Sequence, residues 1–308
     1  AAKVGPFVPW AFQVELNDAA RKTANFYYAG EPIMLKLTAI NRKGELTRNY
    51  PKGFGAGQTI KFSALQENGT DFTTAPGTLS GTYAADGFSS GVTPLTDGPI
   101  PQPTYVFTNA RQAPTQIRLR ADNGQTDPGQ FITSATTPVG TGLAGTEQAR
   151  PWIRIGRVRI GSRFGRTGTS PVEMPVTVEY WSGRSWVLND QDGFTVIPAA
   201  AFAQTASTGT TPPAIQQPVK LTRGAGVLPL TSSQPRSIEV AINLGKTTVD
   251  TSCLGTKPAS KGAGLAWMRA LVTCDGQAAR QGDPSASATF GIFPAESRRI
   301  IHVREVFN

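Results

Sequence analysis

The search for chemistry starts from a short inventory. The chain holds one histidine, His302, and two cysteines, Cys253 and Cys274. A Ser-His-Asp triad would have to use His302. That residue sits between Ile301 and Val303 in an apolar-alternating terminal segment, and no G-x-S-x-G elbow occurs. A structural strand histidine is the expectation. Three His and Cys residues in all are too few for a closed zinc site. The run Asn189-Asp190-Gln191-Asp192-Gly193 has the flavour of a calcium loop. Aligning Gly193 with the glycine of an EF-hand puts Leu188 where the first acidic ligand belongs, so a polar turn between strands accounts for it better. No glycine-rich phosphate cradle precedes a helix. The reading is therefore a chain with no catalytic residues, no metal site and no cofactor.

What remains is recognition chemistry. Trp152, Trp181, Trp186 and Trp267 could stack on sugars, although tryptophans in small β-domains mostly pack. Trp152, Trp181 and Trp186 are the candidate ligand surface. The 30 basic and 21 acidic residues leave a formal charge of +9. Lys and Arg are scattered rather than bunched, which argues for a basic soluble surface and against a nucleic-acid partner.

The elements that would position these residues are strands. Ile33, Leu35, Leu37 and Ala39 alternate with Met34, Lys36 and Thr38. Ile117, Leu119 and Ala121 alternate with Arg118 and Arg120. Val176, Val178 and Tyr180 alternate with Thr177 and Glu179, and Ile238, Val240, Ile242 and Leu244 with Glu239, Ala241 and Asn243. Ala288, Phe290 and Ile292 repeat the pattern near the end. A period of two puts the first set of each group on a core face. Asn41 to Gly44 can close one hairpin. Ser182-Gly183, between Tyr180-Trp181 and Ser185-Trp186-Val187, closes another. From Trp152 to Ile160 the phase slips at Gly156: Ile153 and Ile155 share one parity, Val158 and Ile160 the other. A β-bulge at Gly156 would keep all four inward. Sustained helical periodicity is missing; Ala199 to Gln204 could form one short helix, and Leu265 to Leu271 reads either way.

With 33 Gly and 24 Pro in 308 residues, elements must be short and turns frequent. The length suits two domains. The expectation is all-β: two β-sandwich, immunoglobulin-like domains with long Gly/Pro/Thr-rich loops. The boundaries are 1–125, a linker at 126–150, and 151–308. No apolar run approaches the ~20 residues that span a membrane. The first residue is Ala1 rather than Met, which a processed or excised segment would explain. In a cytosolic chain Cys253 and Cys274 would be separate thiols. In an exported one they would pair, closing a loop worth about 3 kcal/mol in the chain-entropy model. With export as the reading, the expectation is a disulfide.

Three groups of residues carry a family resemblance. They are Gly156-Arg157-Val158-Arg159-Ile160, Met174 through Gly183, and Ser185 through Asp192. Asp283 through Phe293 and Arg299 through Phe307 add to it. Phe26 through Pro32 and Thr47 through Tyr50 match more loosely, with Gly5 through Pro9 as a lead-in. Together they resemble the C-terminal β-rich region of the MshQ-like family, surface proteins associated with the mannose-sensitive haemagglutinin type IV pilus. The resemblance implies export through the periplasm and an extracellular or outer-surface location. It implies a non-enzymatic structural or adhesive role, at a pilus tip or in pilus biogenesis, with pilus or other surface proteins as partners. A carbohydrate-binding module acting on glycans is the alternative. Phe194 stands where the family commonly has a cysteine, so Cys253 and Cys274 would be this chain's own pairing. Ligand binding that the family owes to an upstream lectin-like domain is not carried over to these residues.

Overall fold

The computed structural model describes residues 9–50, 59–84, 102–125, 149–206, 212, 214–245, 260–272 and 280–292. Cys253, Cys274 and the strand expected around His302 lie outside these residues, as does most of the stretch expected to link the domains.

The chain is all-β and builds two cores. In the first half, Ala11–Leu16 runs antiparallel to Leu35–Ile40, with Val14 opposite Leu37. Thr59–Leu65 lies between Thr82–Ala84 and Arg118–Asp122. Gly77–Ser80 pairs with Thr104–Phe107. Phe12, Leu37, Ile60, Tyr105, Ile117 and Leu119 meet in one core, as the period-two pattern requires. The turn at Asn41 forms: its N–H donates to Glu45 O at 2.8 Å, and Gly44 takes φ +83°.

In the second half the 14-residue strand Gly168–Trp181 anchors one sheet. Gly156–Ile160 flanks it on one side, Trp186–Leu188 and Ala225–Ser232 on the other. The facing sheet runs Phe202–Ala206, Arg236–Ile242, Ser285–Phe290 and Arg163–Gly165. Val158, Val176 and Leu228 from one layer and Ile238, Val240 and Phe290 from the other fill the space between, a two-layer sandwich. The Ser182-Gly183 hairpin forms, with Trp181 opposite Trp186 and Gly183 at φ +102°.

Several expectations need correction. There is no bulge at Gly156. Trp152–Arg154 and Gly156–Ile160 are two strands in two different sheets. Ile153 lies in the first core and Val158 and Ile160 in the second, so the phase slip marks the chain crossing between halves. Ala241 and Asn243 are buried rather than solvent-facing, and so is Arg118. Ala241 packs on Ala203. Over Asn243 the chain returns, with the Ala263 N–H donating to Asn243 O at 2.9 Å. Ala199–Ala201 is a single 3-10 turn that runs directly into a strand. Ala266–Met268 is another such turn, followed by the strand Ala270–Val272.

One helix was not foreseen. Ala19–Ala24 is six residues long. Asp18 caps it, its Oδ1 accepting from the N–H groups of Ala20 at 2.8 Å and Arg21 at 3.1 Å. Asn25 ends it at φ +51°. The next three residues, Phe26–Tyr28, form the strand that joins the halves.

Phe26–Tyr28 lies parallel to Trp152–Arg154, with Tyr27 opposite Ile153. Its side chains alternate between the cores: Tyr27 enters the first, Phe26 and Tyr28 the second. Gly156 makes room for this. A Cβ there would meet Tyr28 Cδ1 at 2.3 Å and Met268 Sδ at 2.8 Å. Gly156→Ala is therefore expected to destabilise the chain by about 1–3 kcal/mol through overpacking, read as a lower urea midpoint. A midpoint equal to the parent's would contradict this packing.

Candidate functional site

The polar turn Asn189 to Asp192 is where the halves meet. The Tyr28 hydroxyl donates to Asp192 Oδ2 at 2.8 Å and accepts from Asn189 Nδ2 at 2.6 Å. Asp192 Oδ1 also accepts from the Thr195 N–H at 2.9 Å and the Phe194 N–H at 3.2 Å, and Oδ2 accepts from Thr195 Oγ1 at 2.7 Å. Asn189 and Asp192 are fully buried. Arg154 reaches in from the first half's edge, donating from Nη1 to Asn189 Oδ1 at 2.8 Å and from Nη2 to Gln191 Oε1 at 2.5 Å. Its guanidinium lies over Phe26 and Tyr180, and burial pushes its pKa down. A carboxylate saturated by four donors is a structural acceptor.

A second buried charge supports the same strand. Arg21, on the short helix, pairs with Glu31 and stacks over Phe194, 3.7 Å from the ring centroid. The other Glu31 oxygen accepts from the Tyr28 N–H at 2.8 Å. Burial raises Glu31 from 4.5 to about 7, against the opposing pull of Arg21. Tyr28 is held well above the usual tyrosine value, first by burial and then by Asp192.

Beside this joint is a cleft of about 290 Å³. Asn109 and Arg111 line it from the first half; Arg157, Trp186, Trp267 and Arg269 line it from the second. The hairpin sets Trp186 edge-on to Trp181, with centroids 5.7 Å apart and planes at 70°. Arg157 lies over the Trp186 ring at 4.1 Å and is held by Glu179 through Nε at 2.8 Å and Nη2 at 2.5 Å. Arg269 donates from Nε to the buried Asp283 Oδ1 at 2.9 Å. Arg111 lies 5.4 Å from the centroid of Trp181. Two close approaches frame the space. Gly183 faces the Ala113 Cβ, and Gly30 faces the Trp267 Cβ.

Of the candidate ligand surface, only Trp186 lines the cleft; Trp181 is its hairpin partner outside the lining, and Trp152 lies apart. Trp152 is exposed at the start of its strand, beside Gln116, and does not line the cleft. Among the described residues no group of three or more His, Cys, Asp or Glu side chains could hold a metal ion. Sequence reasoning missed Tyr28, Arg21, Glu31 and Arg111. Tyr28 left one signal. Phe26-Tyr27-Tyr28 is an unbroken apolar triplet, as expected of a strand buried on both faces. Arg111 left none.

Residues 1–149 match the third domain of DUF6701, and residues 154–306 match its fourth. A search of curated proteins gives no match. Among solved structures, the D0-D1 domain of Intimin aligns at 12% identity with a TM-score of 0.19, covering 76% of this chain and 93% of that chain. That likeness is too low to carry fold or function across. Among the described residues no helix is long and apolar enough to cross a membrane.

Tyr28→Phe removes one donor and one acceptor from a buried network. It is expected to cost about 1–3 kcal/mol in urea unfolding, with the m-value unchanged. Glu31 gives a pH signature. Its pKa is raised on folding, so between 4.5 and about 7 the folded state binds more protons than the unfolded. Its contribution is full below about pH 4.5 and is lost as pH rises toward about 7. Glu31→Gln is expected to flatten that slope when unfolding midpoints are compared across the same window.

Proposed function

We propose that this member of the DUF6701 family is a non-enzymatic surface module, a stiff two-sandwich unit that presents loops and a cleft at an outer cell surface. The observation that carries this reading is the joint at Tyr28. Domains in one chain ordinarily move against each other. Here a shared strand and a saturated polar network tie them, which suits a rigid spacer. Tyr28 and Glu31, both shifted upward by burial, spend their hydrogen bonds on that joint, so the polar chemistry concentrated there supports architecture rather than turnover.

The finer proposal is association with a type IV pilus, as a tip or biogenesis component with pilus or surface proteins as partners. Its support is the sequence resemblance through Gly156–Ile160, Met174–Gly183 and Ser185–Asp192. The positions that carry the resemblance are also those that build the second sheet and the joint. The second reading, glycan binding, is favoured by the Trp186 and Trp267 side chains that line the cleft.

Immunogold labelling of intact cells carrying an epitope-tagged chain tests location. Gold on the outer surface, enriched along or at the ends of pili, is expected. Gold confined to the cytoplasm would overturn the surface role, and surface gold that never follows pili would overturn the pilus association alone.

A further inference from the structure

We infer that the cleft between the two halves binds a short acidic saccharide, a uronic-acid-type unit whose carboxylate meets Arg111 and whose ring lies against the indoles. This deepens the surface role proposed above and rests on it only for biological setting. The chemistry comes from the lining. Trp267 and Trp186, the latter with Arg157 already over one face of its ring, line a concave space, and the apolar C–H face of a pyranose stacks on indoles that line such a space. A cleft of about 290 Å³ sits at the small end of small-ligand sites, enough for a terminal sugar or two.

The charge argues for an acid. Three guanidiniums line the cleft. Two are oriented by carboxylates, Arg157 by Glu179 and Arg269 by Asp283. Among the described residues Arg111 has only the Trp181 ring and no carboxylate. A guanidinium offers a planar fork that matches a carboxylate, and at this cleft that fork is unclaimed. Glu179 and Asp283 pre-set their arginines, so little ordering remains to be done on binding. Asn109 adds an amide able to reach a hydroxyl. An acidic peptide would use the guanidinium but would leave the indoles without a flat partner, which is why a sugar is favoured.

Titrating the purified chain with digalacturonic acid while following tryptophan fluorescence tests the inference. A saturable change is expected, weakened about tenfold by Arg111→Gln and by Trp186→Ala. The neutral disaccharide cellobiose should bind at least about tenfold more weakly, and raising salt should weaken only the acidic ligand. Arg111 is exposed, so its variant keeps the fold even if Trp186→Ala does not. No saturable response up to millimolar digalacturonic acid, equal binding of cellobiose, an unchanged affinity in Arg111→Gln, or binding of a tetra-aspartate peptide in place of the sugar would each overturn it. The readout is on the isolated chain, so its failure leaves the surface role standing, and a cytoplasmic location would leave the binding result standing.

Discussion

A single hydroxyl, that of Tyr28, is wedged between an amide and a carboxylate contributed from more than 160 residues away. The buried contacts of Arg154 and Arg21 that join the two halves gather around the same strand. In water such a bond is worth little, because each partner already has solvent to bond. Here Asn189, Asp192 and Tyr28 are all buried. Leaving any of them unpaired would cost far more than the bond itself contributes. The network is therefore a registration device. It penalises every arrangement of the halves except the one that satisfies all its members. Apolar packing between Phe26, Tyr28 and the second core supplies bulk attraction, and the polar atoms choose its geometry.

The joint also explains why there is a cleft. The halves meet at the Tyr28 network, where Arg154 and Arg21 also cross, and again at Gly183 against Ala113 and at Gly30 against Trp267, and the cleft lies beside these contacts. Whatever side chains face that space are held by contacts made for other reasons. Trp186 is fixed by its hairpin partner Trp181, and Arg157 by Glu179 across the sheet. A rigid joint thus yields a preformed cavity. A hinged one would let the walls drift and would lose the fixed spacing between Arg111 and the indoles. The raised pKa of Glu31 belongs to the same construction. A carboxyl group is buried to hold the Tyr28 backbone, and its discomfort with charge is the consequence.

Much of this was legible from spacing. The strand alternations at Ile33–Ala39 and Val176–Val178 put the right residues inside, because a half-buried strand writes its burial into a period of two. The Ser182-Gly183 hairpin was legible from local turn chemistry. Features that depend on distant residues were not. The slip at Gly156 was visible, but a bulge and a crossing between sheets give the same parity change, and only the location of Tyr28 separates them. The acidic run at Asn189 read correctly as a turn, yet nothing local says that Asp192 will accept from Tyr28. Asn243 looked solvent-facing because its cover comes from residues 260–265. Of the candidate ligand tryptophans, Trp181 and Trp186 meet because they are hairpin neighbours, whereas Trp152 belongs to a strand of the other sheet system.

The central claim is that the Tyr28 hydroxyl and the Asp192 carboxylate act on each other across the two halves. A double-mutant cycle in urea unfolding, built from Tyr28→Phe, Asp192→Asn and the two combined, measures that directly. A coupling energy of about 1–3 kcal/mol is expected for directly bonded buried partners. Costs that simply add, with coupling near zero, would mean that the halves are held by something other than this network.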